Sequence, residues 1–229
     1  MALKLESSMT DLMTSLAVVF IMLMLALAQN NAKGSITNIK KISESINKEL
    51  KKDNLECVIK KEDPLACTIE LKEDKLKFLS GSYFCDNKCE TFLKQTFAEE
   101  IMNILLNSSE FKKNIQGVYI EGFTDDVGDD IANLNLSQNR SLSIGRYIVE
   151  YYKNQKSPDE YETLLKWLYL NGRGEQNKKC LPKTNNSCDE ESQSAFIDRD
   201  ASRRVEITIR VKSSEQRKAI ESTVKGLKS

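Results

Sequence analysis

The chain has no histidine in 229 residues. It therefore lacks the usual general base near neutral pH and the commonest metal ligand. A Ser-His-Asp centre, a Cys-His centre and a histidine-bearing zinc site are excluded for the chain acting alone. Net charge is missing too, with 34 Lys and Arg against 34 Asp and Glu. Without a basic excess, the electrostatic footprint of a nucleic-acid binder is absent. There is no low-complexity tract and no internal repeat with a period of roughly 20 to 50 residues. The length fits one domain of ordinary size plus extra segments. No nucleophile is matched by an acid–base pair, so the chain is read as a non-enzyme with no cofactor and no metal.

Cysteine is present in an even count of six. The six fall as three local pairs: Cys57 with Cys67, Cys85 with Cys89, and Cys180 with Cys188. That pairing is the simplest of the roughly 15 connectivities open to six cysteines. A zinc site would need tighter spacing and usually histidine, so disulfides in an oxidising compartment are the expectation.

The longest apolar run, Leu12 to Ala28, holds 17 residues interrupted by Thr14 and Ser15. A helix crossing the hydrocarbon core needs roughly 17 to 25 such residues. A transmembrane helix over 11–29 is therefore expected, after a short cytoplasmic N-terminus (1–10). The alternative is a secretory signal peptide, for which Lys4 supplies a positive start and Ala26-Leu27-Ala28 a cleavage pattern. Glu6 and Asp11 oppose that reading, as does a run longer than the roughly 7 to 15 residues of a signal core. Both readings place everything after residue 30 outside the cytoplasm. Asp11 stands at the mouth of the run. A carboxylate deep in a bilayer costs about 2.5 to 3.5 kcal/mol on insertion scales, so such residues face partners or water and carry function. An N-cap at the interface is the plainer role.

Residues 30–54 form a lysine-rich helical linker. Ile36, Ile39, Ile42, Ile46 and Leu50 make one stripe, which either packs on the following domain or pairs with a second copy. "LECVIKKEDPLACTIELK" (55–72) reads as a hairpin turning at Glu62-Asp63-Pro64, with Cys57 and Cys67 facing across it. Thr91 to Leu106 is an amphipathic helix carrying Phe92, Phe97, Ile101, Ile104 and Leu105. Strands are expected over 117–125, 167–176 and 203–211, a second helix over 133–153, and a terminal helix over 214–228. The order is hairpin, helix, strand, helix, strand, strand: an α+β sandwich with helices on one sheet, over 55–229.

One segment suggests a ligand. In "GFTDDVGDDIANLNLSQNRS" (122–141) a strand ends, a turn carries Thr124, Asp125 and Gly128, and a helix follows with Asn133, Ser137 and Arg140. A strand–turn–helix can bring Asp125 and Arg140 to one end of the sheet. A carboxylate for an ammonium and a guanidinium for a carboxylate suit the zwitterionic end of an amino acid. The plain alternatives are an ordinary turn and a solvated arginine. Asp125, Asp126, Asp129 and Asp130 do not follow EF-hand spacing.

With "GRGEQ" (172–176) and "SRRVEI" (202–207), this segment resembles the OmpA-like peptidoglycan-binding domain over about residues 76–212. The resemblance implies a βαβαββ sandwich in which Asp125 and Arg140 clamp diaminopimelate of the peptide stem. It also implies that Thr124, Asn133 and Ser137 shape the site and that Arg204 contributes from the last motif. Phe123 replaces a frequent histidine or tyrosine, and the insertion over 177–200 is longer than in many relatives.

"DLMTSLAVVFIMLMLA" (11–26) resembles the single membrane helix of MotB-type stator subunits. That implies Asp11 as the carboxylate that binds and releases H⁺ or Na⁺, with Thr14 and Ser15 lining the path. It implies a homodimer ringed by MotA-like subunits in the bacterial inner membrane, its C-terminal domain in the periplasm. The short linker and three cysteine pairs resemble the B subunits of Zorya anti-phage defence systems more than flagellar ones. A flagellar stator and a passive wall-binding envelope protein are the alternatives.

Overall fold

The computed structural model describes residues 2–72, 76, 81–84, 87–180, 197–213 and 216, without the side chains of 2–12, 27–33 and 88. The Asp11 side chain, Cys85, Cys188 and nearly all of the expected terminal helix therefore lie outside the described residues, and the cleavage-like Ala26-Leu27-Ala28 lies within a helix. The chain divides into two units, one of Met1–Thr37 with Lys212–Ser229 and one of Asn38–Val211.

In the first unit the helix α1 (Ala2–Leu50) supplies residues up to 37. Its large apolar side chains from Met13 to Leu25 are 53–69% exposed, and Thr14 and Ser15 are exposed with them. Among the described residues, no helix is long and apolar enough to cross a membrane. Ser35 is buried in this unit and its hydroxyl donates to the Lys212 carbonyl at 3.3 Å.

The second unit begins with the last turns of α1. Ile39, Ile42, Ile46 and Leu50 are fully buried in the core of this unit. Of the two uses open to the stripe, packing on the chain's own domain is the one observed for these four residues. The polar residues between them hold the next strand, β1 (Cys57–Val58). Ser43 Oγ donates to the Cys57 carbonyl at 2.9 Å, and the Cys57 N–H donates to Asn47 Oδ1 at 2.6 Å.

β1 pairs antiparallel with β2 (Ala66–Lys72), completing the expected hairpin. Cys57 stands opposite Ile69 rather than Cys67. The disulfide Cys57–Cys67 therefore joins diagonal neighbours on one face, where Cα atoms 5.3 Å apart permit it. Cys89 and Cys180 are also disulfide-bonded.

After β2 come α2 (Asn87–Thr91), a π-helix (Phe92–Ile101), α3 (Met102–Asn107) and α4 (Ser109–Asn114). The amphipathic helix expected over 91–106 thus runs mostly with i→i+5 spacing, and the Met102 N–H closes on the Phe97 carbonyl. The Ala98 carbonyl accepts from the buried Tyr152 hydroxyl at 3.1 Å. Leu93, Phe97, Ala98 and Ile101 still form its buried face.

β3 (Ile115–Gly122), α5 (Asp130–Gln155), α6 (Pro158–Trp167) and β4 (Leu168–Gly172) follow. β3 and β4 are parallel, so α5 and α6 form the crossover that a parallel pair requires. Asp129 caps α5 by accepting from the Ala132 N–H. Ser157 and Glu160 make a reciprocal capping box at α6, with Pro158 in its first turn. A short α7 (Arg199–Ser202) leads into β5 (Arg204–Val211).

The sheet order is β1-β2-β5-β3-β4, antiparallel except for β3 with β4. The βαβαββ order is therefore one strand short, because α1 and the disulfide hold residues 57–58 as a strand before β2. Val205, Ile207, Ile209 and Val211 face the helices, as the alternation predicts, and share one core with Phe97, Ile144 and Ile148. The opposite face of β5 is polar but also buried. There Thr68 and Thr208 share a hydrogen bond at 3.0 Å, and Glu206 receives Arg204 at 2.8 Å and Lys60 at 3.4 Å.

Candidate functional site

Two glycines seat α5 against the sheet and thereby place the site. A Cβ on Gly122 would meet the Ser137 carbonyl oxygen at 2.1 Å, and one on Gly172 would meet the Gln138 nitrogen at 2.5 Å. The helix therefore rests almost backbone to backbone on the C-terminal ends of β3 and β4. Ser137 is fully buried at this junction, where its hydroxyl donates to the Leu134 carbonyl and accepts from the Gly174 N–H, both at 2.8 Å. Gly174 has φ +57°, a conformation glycine adopts without strain, and its carbonyl accepts from the Thr124 N–H at 2.8 Å.

That seating brings Arg140, one turn along α5 from Ser137, to the end of β3. It is 1% exposed. Its Nε donates to the Ser82 carbonyl at 3.1 Å and its Nη1 to the Phe123 carbonyl at 3.5 Å. Asp125 follows two residues after Phe123, at the turn. Asn133 Nδ2 reaches the Asp125 carbonyl at 3.5 Å, and the Val127 N–H donates to Asp125 Oδ1 at 3.2 Å. The structure thus gathers Thr124, Asp125, Asn133, Ser137 and Arg140 at one end of the sheet. Thr124 is buried too, and among the described residues its hydroxyl makes no hydrogen bond.

The carboxylates of the turn are engaged by α7 and the residue after it. Asp125 Oδ2 receives Arg203 Nη1 at 2.7 Å, and Asp126 receives Arg199 through two nitrogens at 2.8 and 3.3 Å. The hydrogen bond from Arg199 holds the Asp126 carboxyl below its usual range, against the opposing effect of burial. Asp129 is the helix cap. Among the described residues no group of His, Cys, Asp and Glu is arranged to hold a metal ion.

Arg204 is placed differently from Arg203. It is 3% exposed and stacks over the Phe123 ring at 4.0 Å. Its nitrogens donate to Glu206 at 2.8 Å, to the Ser202 carbonyl at 3.2 Å and to the Asn177 carbonyl at 3.3 Å. Burial raises the Glu206 pKa, but the hydrogen bond and charge of Arg204, with Lys60 and Lys179, outweigh it and leave the pKa lowered. Arg204 therefore braces the loops under the site, and Arg203 is the arginine on the Asp125 carboxylate. The doubled arginine in "SRRVEI" is the signal for that second residue, but nothing in the sequence says which of the two turns toward Asp125.

An arrangement of one turn carboxylate, one buried guanidinium and a second cation on the carboxylate can receive a ligand carrying an ammonium beside a carboxylate. Thr14 and Ser15 belong to the first unit.

Residues 87–193 match the model of the OmpA family. No curated protein sequence matches the chain. Among solved structures, the periplasmic domain of MotB is similar over 75% of this chain and 74% of its own, at 18% identity and TM-score 0.44. A Helicobacter pylori MotB periplasmic domain is similar over 75% of this chain and 97% of its own, at 17% identity and TM-score 0.43. The peptidoglycan-associated lipoprotein of Burkholderia pseudomallei is similar over 62% of this chain and 89% of its own, at 18% identity and TM-score 0.37. Five of the six residues expected to bind the wall, all but Arg204, lie inside the stretch that matches the OmpA family.

Proposed function

We propose that the chain is the wall-anchored B-type subunit of an ion-driven rotary motor in the bacterial inner membrane, of the Zorya anti-phage defence type. The observation that carries the wall-binding part is the clustering of Asp125 and Arg140 at the end of β3, inside the stretch that matches the OmpA family. Their chemistry suits diaminopimelate, whose amino and carboxyl groups share one carbon. A buried frame of Ser137, Gly122 and Arg204 limits the motion of both groups, so less order has to be imposed when ligand binds.

The membrane part is supported by the apolar run behind Asp11 and by its exposed large side chains, which suit lipid or partner helices more than water. In this reading residues 11–29 span the bilayer and the OmpA-like domain is periplasmic. Two copies stand inside a ring of MotA-like subunits. Asp11 takes up and releases H⁺ or Na⁺, beside Thr14 and Ser15, and the changing charge turns the ring. The wall anchor stops the B dimer from turning with it.

Two measurements test the reading separately. Purified full-length protein in detergent is incubated with isolated sacculi. Wild type is expected to pellet with them, and Asp125→Asn, which keeps size but loses charge, to stay in solution with a melting temperature within about 4 °C of wild type. Equal pelleting of the two removes the wall site from Asp125. Phage plating on cells with the intact operon then compares wild type with Asp11→Asn at equal membrane level. Lost protection supports the ion path. Unchanged protection reduces the chain to a passive wall anchor, and absence of protection by wild type removes the defence role.

A further inference from the structure

The two carboxylates of the turn after β3 are covered by cations from the chain itself. The Asp125 and Asp126 side chains are 13% and 10% exposed, against 25% for Arg203 and 46% for Arg199. The guanidinium groups therefore stand between the carboxylates and the solvent. The Val127 N–H takes Asp125 Oδ1, and Arg203 Nη1 takes Oδ2 at 2.7 Å. A ligand ammonium arriving at Oδ2 meets a like charge already seated there.

Both arginines come from one closed turn. The Arg203 N–H donates to the Arg199 carbonyl at 3.0 Å, and the Ser202 N–H to the Asp198 carbonyl at 2.9 Å. These bonds set the arginines one helical turn apart, so both reach the same acidic pair. Asp198 caps the turn by accepting from the Ala201 N–H at 3.0 Å. Arg203 also pairs with Asp200 inside the turn.

The turn is tied down beside the site. Ile197 bridges to Cys180, and the Asp198 N–H donates to the Lys179 carbonyl at 2.8 Å. The fully buried Ser202 accepts from the Lys179 N–H at 3.0 Å. Arg199 adds two bonds to Asp126, at 2.8 and 3.3 Å. Displacing Arg203 from Asp125 therefore pulls on a segment that Arg199 also holds, although Arg199 pairs with Asp126 rather than with Asp125. The brace between the sheet and this end of the domain is the buried Arg204, so the two more exposed arginines are not needed for that task.

We propose that residues 197–203 form an autoinhibitory strap. Arg199 and Arg203 occupy the acidic turn as internal cations at rest, and a ligand ammonium binds Asp125 only when the strap lifts as a unit. The proposal rests on the wall-binding reading above and adds a resting, covered state to the same site.

The test uses full-length protein in detergent, titrated with the free stem tripeptide ending in diaminopimelate. Arg199→Gln is the deciding variant, because it frees Asp126 and leaves the Arg203–Asp125 pair in place. Its affinity for the tripeptide is expected to rise by up to about fivefold, the scale of one partly exposed ion pair. Arg199→Gln with Arg203→Gln should raise it further than either change alone. The tripeptide carries more carboxylates than ammonium groups, so loss of a cation by itself would weaken binding, and a rise reports the strap. Hydrogen exchange read by mass spectrometry supplies the second measurement. In wild type, saturating tripeptide should speed exchange in a peptide spanning residues 198–203, because a short turn released from its ion pairs opens more readily. Unchanged or lowered affinity in Arg199→Gln overturns the proposal and leaves the wall-binding reading standing. Slower exchange of residues 198–203 on binding also overturns it, since the strap would then close over the ligand. Binding by the double variant and not by wild type supports it. If neither binds the tripeptide, the wall-binding reading fails and the proposal with it.

Discussion

Gly122→Ala tests whether the seating of α5 on β3 positions the site. The added Cβ would lie 2.1 Å from the Ser137 carbonyl oxygen and 3.0 Å from the Ser137 carbonyl carbon. Ordinary non-bonded contact begins near 3.5 Å, so α5 must retreat by roughly 1 Å or more. Both sides of the clash are backbone, and no side chain can swing away to relieve it. Overpacking of this kind costs about 1 to 3 kcal/mol, and a backbone clash belongs at the upper end. For a domain of this size 1 kcal/mol corresponds to about 2 to 4 °C, so a fall of about 6 to 12 °C in the melting temperature is expected. The site should suffer beyond stability. Arg140 is one turn from Ser137, and its bonds to the Ser82 and Phe123 carbonyls, at 3.1 and 3.5 Å, have little slack. Circular dichroism melting gives the first number. Sacculus pelleting at 20 °C or so, where the variant is still folded by the same measurement, gives the second. A melting temperature within about 2 °C of wild type would refute the reasoning, since it would mean that the helix does not rest on Gly122.

Two further substitutions address the charges. Arg203→Gln removes the cation that holds Asp125 Oδ2 at 2.7 Å. A partly exposed pair is worth up to about 1 kcal/mol, so affinity for the stem tripeptide should rise by up to about fivefold in titration calorimetry. A fall instead would mean that Arg203 presents the carboxylate to the ligand rather than competing for it. Glu206→Gln tests the buried pair with Arg204. The folded pKa of Glu206 lies below the ordinary glutamate value of 4.5. The group therefore contributes stability above that value, and the contribution is lost as pH falls through the lowered folded pKa. Acid unfolding followed from pH 6 downward should be less steep below about 4.5 in Glu206→Gln than in wild type. At pH 6 the variant should be the less stable of the two, because Arg204 loses its buried partner. Equal slopes would show that other carboxylates, such as Asp126, govern the acid limb.

Local pattern and chemistry made much of this fold legible. The β5 alternation from Val205 to Val211, the amphipathic spacing of 133–153 and the Glu-Asp-Pro turn each encode their element within a few residues. The clustering of Asp125 and Arg140 was legible for a related reason, since a strand, a short turn and a helix leave few places for both groups to go. Features that depend on distant residues were not. The π spacing of Phe92–Ile101 goes with Tyr152 claiming the Ala98 carbonyl, 54 residues away. The ambiguity of the Ile39–Leu50 stripe was real, because a helix stripe has the same spacing whether it meets its own domain or another chain. The burial of Arg140 was equally hidden. Its acceptors are the Ser82 and Phe123 carbonyls, and backbone acceptors carry no sequence signature.

The doubled arginine before β5 shows why one sequence motif can serve both frame and site. Arg204 opens the strand, and with strand periodicity its side chain joins the face of Glu206, two residues on, where the pair is buried at 2.8 Å. Stacked on Phe123, it fixes the end of β3 from below. Arg203 precedes the strand and is free of that periodicity, so it reaches the turn and meets Asp125. Exchanging their roles would bury the Asp125 carboxylate against the sheet or leave Glu206 as an unpaired charge, which costs several kcal/mol in a protein interior. The two neighbouring residues are therefore not redundant. A lysine at 204 would lose the planar fork that binds Glu206 and two carbonyls while stacking on a ring. A lysine at 203 would keep a single contact to one carboxylate oxygen. Arg204→Lys is thus the more damaging exchange for stability, and Arg203→Lys leaves the fold intact while still contesting Asp125.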